Sequence, residues 1–484
     1  MNKKMVIRIL GIVMGLEAAL LIVPFIVGLI YKESSTVHFL YAALLCFVLY
    51  LSLSRIQVTK KVIYAKEGFV ITSLAWIFMS LLGALPLYSS GAIPSYIDAV
   101  FEIVSGFTTT GSSILTSVED LPHCMIFWRS FTHWIGGMGV LVFILSVVKL
   151  QGDDHNMHLM RAESPGPIVG KLVPKIRNTA SLLYGIYTFM TVLLIVLLAI
   201  AGMPIFDAIC NAFGTAGTGG FGILNAGIGQ YNNVVWEVII TIFMFLFGVN
   251  FNLYFFILMW DIKGILGCEE VKWYGVITLS FIALITLNLW PYYDSFWEAL
   301  RHSSFQVSSI ITTTGFASTD FNLWPQFSKT LLFILMFVGA CAGSTGGGVK
   351  ISRWMIIIKK LRNTITKVLH PRSVKIVTLE GKAVDDDVIN EVFVFFLLFM
   401  LVFFTTFIFV SLDGFDFETT IGAVAACLGN VGPGFGMTGP MGNFSAFSNL
   451  SKVILSLAML FGRLEIFPML ITLTPKTYRR NTDY

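Results

Sequence analysis

Charge is scarce in this sequence. Asp, Glu, Lys and Arg make up 12% of its 484 residues, about half the share of an ordinary soluble domain. So few charges cannot clothe a water-facing surface, which excludes a soluble globular protein. The net charge of +4 gives no sign of nucleic acid, because the Lys and Arg residues gather in particular loops. The six cysteines (Cys46, Cys124, Cys210, Cys268, Cys341 and Cys427) stand singly with no CxxC pair. That argues against a zinc site and a disulfide framework and makes most of them small buried apolar residues. The seven histidines form no constellation with metal ligands or a nucleophile, so no enzyme chemistry and no covalently held cofactor is expected. The opening MNKKMVIRIL runs on apolar past Ile26 without a small-residue cleavage site, and is read as a retained first helix rather than a leader.

Long apolar runs fill the space that charge leaves. Hydrophobic residues reach 56%, and many segments stay apolar for about 20 residues, the length of a membrane-spanning helix. The fold class expected is an all-α polytopic membrane protein. Two spans come first, near 6–30 and 38–54. A pattern then recurs four times: a spanning helix, a short helix, a Gly-bearing loop, and a second spanning helix. The outer spans are placed near 67–88, 179–202, 273–291 and 388–412, and the short helices near 97–107, 204–216, 294–310 and 415–428. The second spans lie near 126–150, 233–260, 327–361 and 449–473, ten spans in all. The chain divides into a leading pair, 1–66, and repeats at 67–170, 171–265, 266–375 and 376–484.

The loops carry the repeat. TTTG occurs at 108–111 and again at 312–315, with looser relatives GTGGF at 217–221 and GNVGPGFG at 429–436. Phe101 and Phe305 each stand ten residues ahead of Gly111 and Gly315, while Asp98 and Asp207 stand thirteen ahead of Gly111 and Gly220. The short helices cannot cross a bilayer and are re-entrant. Irregular backbone at that depth is tolerated only around protein or a water-filled cavity, so four loops converging on a pore are expected. Glycine at 111, 220, 315 and 432 lets carbonyls turn toward a common axis, where they can replace an ion's water shell. Each half-helix points its negative C-terminal end at the same place, and the hydroxyls of Thr108 to Thr110 and Thr312 to Thr314 brace the loops or add ligands. Helix packing through small residues is the plainer alternative for one such loop; four in register favour the ring.

Cations fix the orientation. Lys3, Lys4, Arg8, Lys60, Lys61, Lys66, Lys171, Lys175 and Arg177 fall on one side. With them fall the run from Lys359 to Lys375, Arg479 and Arg480, and that side is cytoplasmic. A second Gly-rich stretch, CAGSTGGGVK at 341–350, interrupts the second span of the third repeat. Val349 stands where a phosphate loop needs Lys, so the stretch is read as an unwound break and a gate, with an inert kink as the alternative. Arg463, in LFGRLEIFP, is costly within a span and therefore functional. Its expected neighbours are the broken segment, the ring floor and Glu465. Lys350 is ambiguous, since it can snorkel to the interface. Arg129 and His133 suit packing or interfacial anchoring, and Asp98, Asp207, Glu298 and Glu418 suit capping of the half-helices. Glu17 has no evident partner.

Together FTTTGSS at 107–113, GTAGTGGFG at 214–222, SIITTTGF at 309–316 and GNVGPGFG at 429–436 resemble the Trk/Ktr/HKT superfamily of potassium transporters. The two extra leading helices, with HWIGGMG, CAGSTGGGVK and GRLEIFP, make the chain similar to the TrkH-type transmembrane subunit over nearly its whole length. The second repeat departs from the usual pattern, with more glycine and smaller residues in TAGTGG. The resemblance implies one pore per protomer of a homodimer in the bacterial inner membrane, both termini cytoplasmic. It implies a potassium-binding filter at Thr109, Thr110, Gly111, Thr218, Gly219, Gly220, Thr313, Thr314, Gly315, Asn430, Val431 and Gly432. Gly343, Ser344, Thr345, Gly346, Gly347 and Gly348 match a gating loop, faced by Arg463. A cytosolic TrkA-type ring is the implied regulator, binding a nucleotide (ATP/ADP or NAD) and touching the basic loop 350–387. A gated channel for potassium uptake is the principal expectation; a carrier coupled to protons or sodium, or a subunit that transports nothing, are the alternatives.

Overall fold

Small residues let the first two helices lie close. The computed structural model describes residues 1–58, 64–139, 176–373 and 375–478. Helix α1 (Lys3–Tyr31) runs back along α2 (Thr36–Ser54), and a β-carbon on Gly15 would stand 2.8 Å from the Tyr50 ring. That is the close approach glycine permits between membrane helices.

Four units of one plan follow. The first has α3 (Ala65–Gly83), the half-helix α4 (Tyr96–Phe107) and α5 (His123–Gly137). The second has α6 (Ile176–Ile200), the half-helix α7 (Ile205–Ala216), α8 (Val234–Phe247) and α9 (Phe251–Leu258). The third has α10 (Glu269–Leu289), the half-helix α11 (Phe296–Ile311), α12 (Gln326–Val338) and α13 (Ile351–Leu369). A hairpin of β1 (Thr378–Leu379) and β2 (Lys382–Ala383) leads to the fourth. That unit has α14 (Asp386–Val410), the half-helix α15 (Phe417–Gly429), α16 (Asn449–Arg463) and α17 (Phe467–Leu473). The short helices fall within three residues of the expected limits.

Among the described residues six helices are long and apolar enough to cross a membrane. They are α1, α2 and the outer helix of each unit. The inner helices differ from expectation: the sequence suggested continuous spans at 233–260 and 449–473, and both are broken. Helices α8 and α9 meet at 91°, because Gly248 ends one and the Asn250 side chain, accepting from the Asn252 N–H, starts the next. In the fourth unit Glu465 and Ile466 take positive φ, 54° and 69°. Between α12 and α13 the expected break at 341–350 is present and begins at Gly339. Helix α5 ends at Gly137, and most of the rest of the span expected at 126–150 lies outside the described residues.

Three of the four half-helices start on hydroxyl or carboxylate caps, whereas α7 follows Pro204 and has no side-chain cap. Ser95, Ser295 and Asp416 accept from the N–H groups of Asp98, Glu298 and Thr419. The capping role expected of Asp98, Asp207, Glu298 and Glu418 is thus not theirs. Asp98 pairs with Lys452 and Glu418 with Lys329, Asp207 accepts from the Tyr231 hydroxyl, and Glu298 is the residue capped. All six cysteines are free and buried, as composition implied for most of them.

Candidate functional site

Each half-helix ends in the same way. The N–H groups of Thr110, Gly219, Thr314 and Val431 donate to the carbonyls of Ser105, Gly214, Ser309 and Ala426, five residues back, at 2.8–2.9 Å. This is the Schellman closure, which needs one left-handed residue just before the donor. Thr109, Thr218, Thr313 and Asn430 supply it, with φ between 52° and 58°. Asn tolerates that conformation, but a β-branched Thr does so at a cost of about 1–3 kcal/mol. Two residues on, Gly111, Gly220, Gly315 and Gly432 are again left-handed, at φ 83°, 71°, 80° and 101°. Here glycine is also required by space. A β-carbon on Gly111 would strike the carbonyl oxygen of Gly219, one on Gly220 that of Thr314, and one on Gly315 that of Val431. One on Gly432 would stand 2.7 Å from the carbonyl oxygen of Thr110. Each glycine thus abuts the next unit's carbonyl, and the fourth returns to the first. The four loops close a ring.

Side chains brace it as the hydroxyl pattern suggested. Thr108 and Thr312 each bond through their hydroxyls to Thr110 and Thr314, at 2.8 Å. Asn430 Nδ2 donates to Thr110 Oγ1 and to the Met459 carbonyl, both at 2.9 Å. Among the described residues the Thr109 hydroxyl and Asn430 Oδ1 are buried without a hydrogen-bond partner. Buried oxygens left unpaired cost free energy, and here they lie in a ring lined with further oxygens.

The Gly-rich segment lies directly against this ring. Gly347 N–H donates to the Thr313 hydroxyl at 2.7 Å, and a β-carbon on Gly346 or Gly347 would meet the Thr312 or Gly429 carbonyl at 3.0 or 2.9 Å. The segment is fastened on all sides. Cys341 N–H donates to the Gly248 carbonyl, Phe251 N–H to that of Gly343, and the Thr345 hydroxyl to that of Phe247. Ser344 closes a turn onto the Cys341 carbonyl, and Gly343 and Gly348 are left-handed, at φ 70° and 74°. Arg463 donates to the Thr345 carbonyl at 2.8 Å and to those of Gly136 and Gly137 at 2.5 and 2.7 Å. It therefore stitches the segment to the end of α5. The breaks of the second, third and fourth inner helices and the C-terminal end of α5 meet here.

Two residues around the segment have partners that local sequence did not name. Glu465, expected near Arg463, lines the same cavity and forms an ion pair with Arg353 of α13. Lys350 is buried, and its Nζ turns back onto the Gly346 carbonyl at 2.7 Å. Sequence reasoning also passed over two carboxylates. Glu270 of α10 accepts from the N–H groups of Ala342 and Ser352, at 2.7 and 3.0 Å, so it holds both flanks of the segment. Glu102 of α4 is wholly buried. It pairs with Arg129 at 2.8 Å and accepts from the Ser113 hydroxyl and the Ile114 N–H. An acid inside an apolar helix was the available signal. Arg129 is accordingly a buried tie rather than an interfacial anchor, and His133 packs as expected, bonded to the Gly106 carbonyl and the Phe221 N–H. Glu17 is buried without a hydrogen-bond partner among the described residues.

Cavities flank the ring. One of about 150 Å³ is lined by all four ring glycines and the segments that follow them. Another of about 90 Å³ is lined by the Gly-rich segment, Lys350, Arg463 and Glu465. The four closely apposed loops thus lie between a cavity on one side and the bonded Gly-rich segment on the other. Among the described residues no group of three His, Cys, Asp or Glu side chains could hold a metal ion.

The model of the TrkH family, described as a cation transport protein, matches residues 35–478. The Trk system potassium uptake protein TrkH of Salmonella typhimurium is 35% identical, with 99% of this chain and all of that protein covered. TrkG of Escherichia coli, also a Trk system potassium uptake protein, is 34% identical over 97% of both chains. The crystal structure of the potassium transporter TrkH from Vibrio parahaemolyticus superposes with a TM-score of 0.88 at 31% identity, covering 99% of this chain and 100% of that one.

Proposed function

The chain belongs to the TrkH family of cation transport proteins, and on that premise we propose that it conducts potassium into the cell through the ring of backbone carbonyls. The observation that carries the reading is the cyclic contact of each ring glycine with the next unit's carbonyl oxygen. The ion is the cargo. The oxygens of Thr109, Thr110, Thr218, Gly219, Thr313, Thr314, Asn430 and Val431 take the place of its water, and the glycines let those oxygens face inward. The half-helix C-termini add negative potential at the ring. The segment 343–348, with Arg463, is the gate: it closes the cytoplasmic side and opens when its ties to Thr313, Glu270 and Arg463 loosen. The protein works as a homodimer in the inner membrane with both termini cytoplasmic, as the cation bias suggests. A TrkA-type cytosolic ring binding ATP/ADP or NAD sets the gate through the basic stretch 350–387.

The test is rubidium or potassium uptake into liposomes holding the purified protein, with sodium as competitor and the proton gradient clamped. Flux that follows the potassium gradient alone supports a gated channel. Flux that stops when the proton or sodium gradient is removed makes the protein a coupled carrier. Absence of flux with the cytosolic ring added would overturn the proposal.

A further inference from the structure

Consecutive units are tied at a recurring position. In three inner helices the fourth residue after the N-cap pairs with the half-helix of the next unit: Glu237, Lys329 and Lys452, after Asn233, Pro325 and Ser448; the equivalent residue of α5 is Ile126, after Pro122. Lys329 pairs with Glu418 at 2.9 Å and Lys452 with Asp98 at 2.6 Å, base on the inner helix and acid on the half-helix. The first junction has the apolar Ile126 instead. The second reverses the polarity: Glu237 of α8 pairs with Arg301 of α11 at 3.3 Å.

The reversal is costly on its own. Arg301 stands in the N-terminal half of a half-helix, where the dipole already disfavours a cation, and Glu237 is 4% exposed. Arg301 has a second task, however. Its Nη2 lies 3.0 Å from His302 Nε2, and His302 Nδ1 lies 3.0 Å from the Ser318 hydroxyl. Guanidinium can only donate, so Nε2 accepts, the proton sits on Nδ1, and Nδ1–H donates to Ser318. Ser318 belongs to the segment leaving the ring at Gly315. Two more side chains of α11 hold that segment: Ser309 donates to the Phe316 carbonyl at 2.6 Å and Gln306 to that of Thr319 at 3.2 Å. His302, Gln306 and Ser309 share one helix face at i, i+4 and i+7.

We infer that Glu237 and Arg301 are positioning residues for the third ring loop: the ion pair fixes Arg301, Arg301 fixes the His302 tautomer, and His302 clamps the exit segment at Ser318. The inference rests on the ring acting as the ion filter. It makes the outer end of one quarter of the filter depend on an inner helix of the preceding unit.

The experiment compares full-length variants in liposomes, reading the sodium concentration that halves rubidium uptake per folded protein. Arg301→Met and Ser318→Ala are expected to lower that concentration several-fold, as loss of a hydrogen bond implies, with rubidium flux retained. Arg301→Lys keeps the charge and a donor and should behave as wild type. Arg301→Met strands a buried carboxylate and can fail to fold; Ser318→Ala, which carries no charge, then decides the matter. Unchanged sodium competition in folded Ser318→Ala, or flux lost with the ratio intact, overturns the inference. The double reversal Glu237→Lys with Arg301→Glu restores the pair but removes the donor to Nε2, so stability should return without the preference. Recovery of both would refute the tautomer step. A wild-type protein that takes up rubidium and sodium equally would refute the filter reading itself.

Discussion

Gly315→Ser offers the sharpest test of the ring. Gly315 has φ of 80°, and a side chain there costs about 1–2 kcal/mol in backbone strain alone. Its β-carbon would also strike the Val431 carbonyl oxygen and stand 2.8 Å from Pro433 Cδ, so the neighbouring unit's carbonyl must turn away. A carbonyl facing a cation is comparable to a hydrogen bond with one charged partner, about 1.5–3 kcal/mol. Losing it should lower the preference for potassium over sodium by roughly ten- to a hundredfold, with cation flux persisting. Gly202→Ala is the control. Gly202 has φ of 93° with nothing within 4 Å of its β-position, so the variant carries the strain without the collision and should keep the preference. The assay is rubidium uptake against sodium, on protein shown by melting and gel filtration to be folded. A folded Gly315→Ser protein with wild-type preference would mean that the Val431 oxygen does not touch the ion.

Other expectations follow from the ties around the ring. Glu270→Gln weakens both flanking N–H bonds of the Gly-rich segment, worth about 1–3 kcal/mol; resting flux should rise, as it should on shortening 343–348, and flux unchanged in both would mark the segment an inert kink. Arg129→Met leaves Glu102 buried and unpaired, at a cost of about 3–5 kcal/mol, and adding Glu102→Gln should recover much of the melting temperature; no recovery would deny the pair its role. Asp416 accepts from the Thr419 hydroxyl and N–H, which hold its carboxyl below the usual range. Because the folded value is the lower one, its anchoring of α15 is complete above the ordinary value of 3.8 and is lost as pH falls through the folded value. Asp416→Asn should therefore remove a loss of stability seen only below about pH 4, and a loss beginning near neutrality would refute the assignment.

The half-helices and ring glycines were legible because local chemistry writes them. A Schellman end followed by glycine leaves TTTG or its relatives behind, whatever surrounds it. The breaks in the second and fourth inner helices were not legible, for two reasons. FLFGVNFNLYFF reads as one apolar run, and only the capping role of Asn250 divides it. In GRLEIFP the left-handed pair Glu465 and Ile466 is held by the distant Arg353, which no local pattern announces. The partners of Arg463 were half legible: the Gly-rich segment was foreseen, whereas its contact with Gly136 and Gly137 joins residues more than three hundred positions apart. Glu270 sits at the start of α10, where an acid looks like an ordinary first-turn residue.

Closing the ring within one polypeptide changes what heredity can do to it. Four loose subunits would alter all four walls at every substitution and could join in any order. Here each wall has one fixed neighbour on either hand, and codons for the four walls drift separately. Thr, Thr, Thr and Asn already occupy the equivalent left-handed position, and TTTG recurs only in the first and third units, so the ring has no true fourfold axis. Were it the ion path proposed above, its quadrants would not all be alike, and selection could reshape one quadrant while three stay as they were.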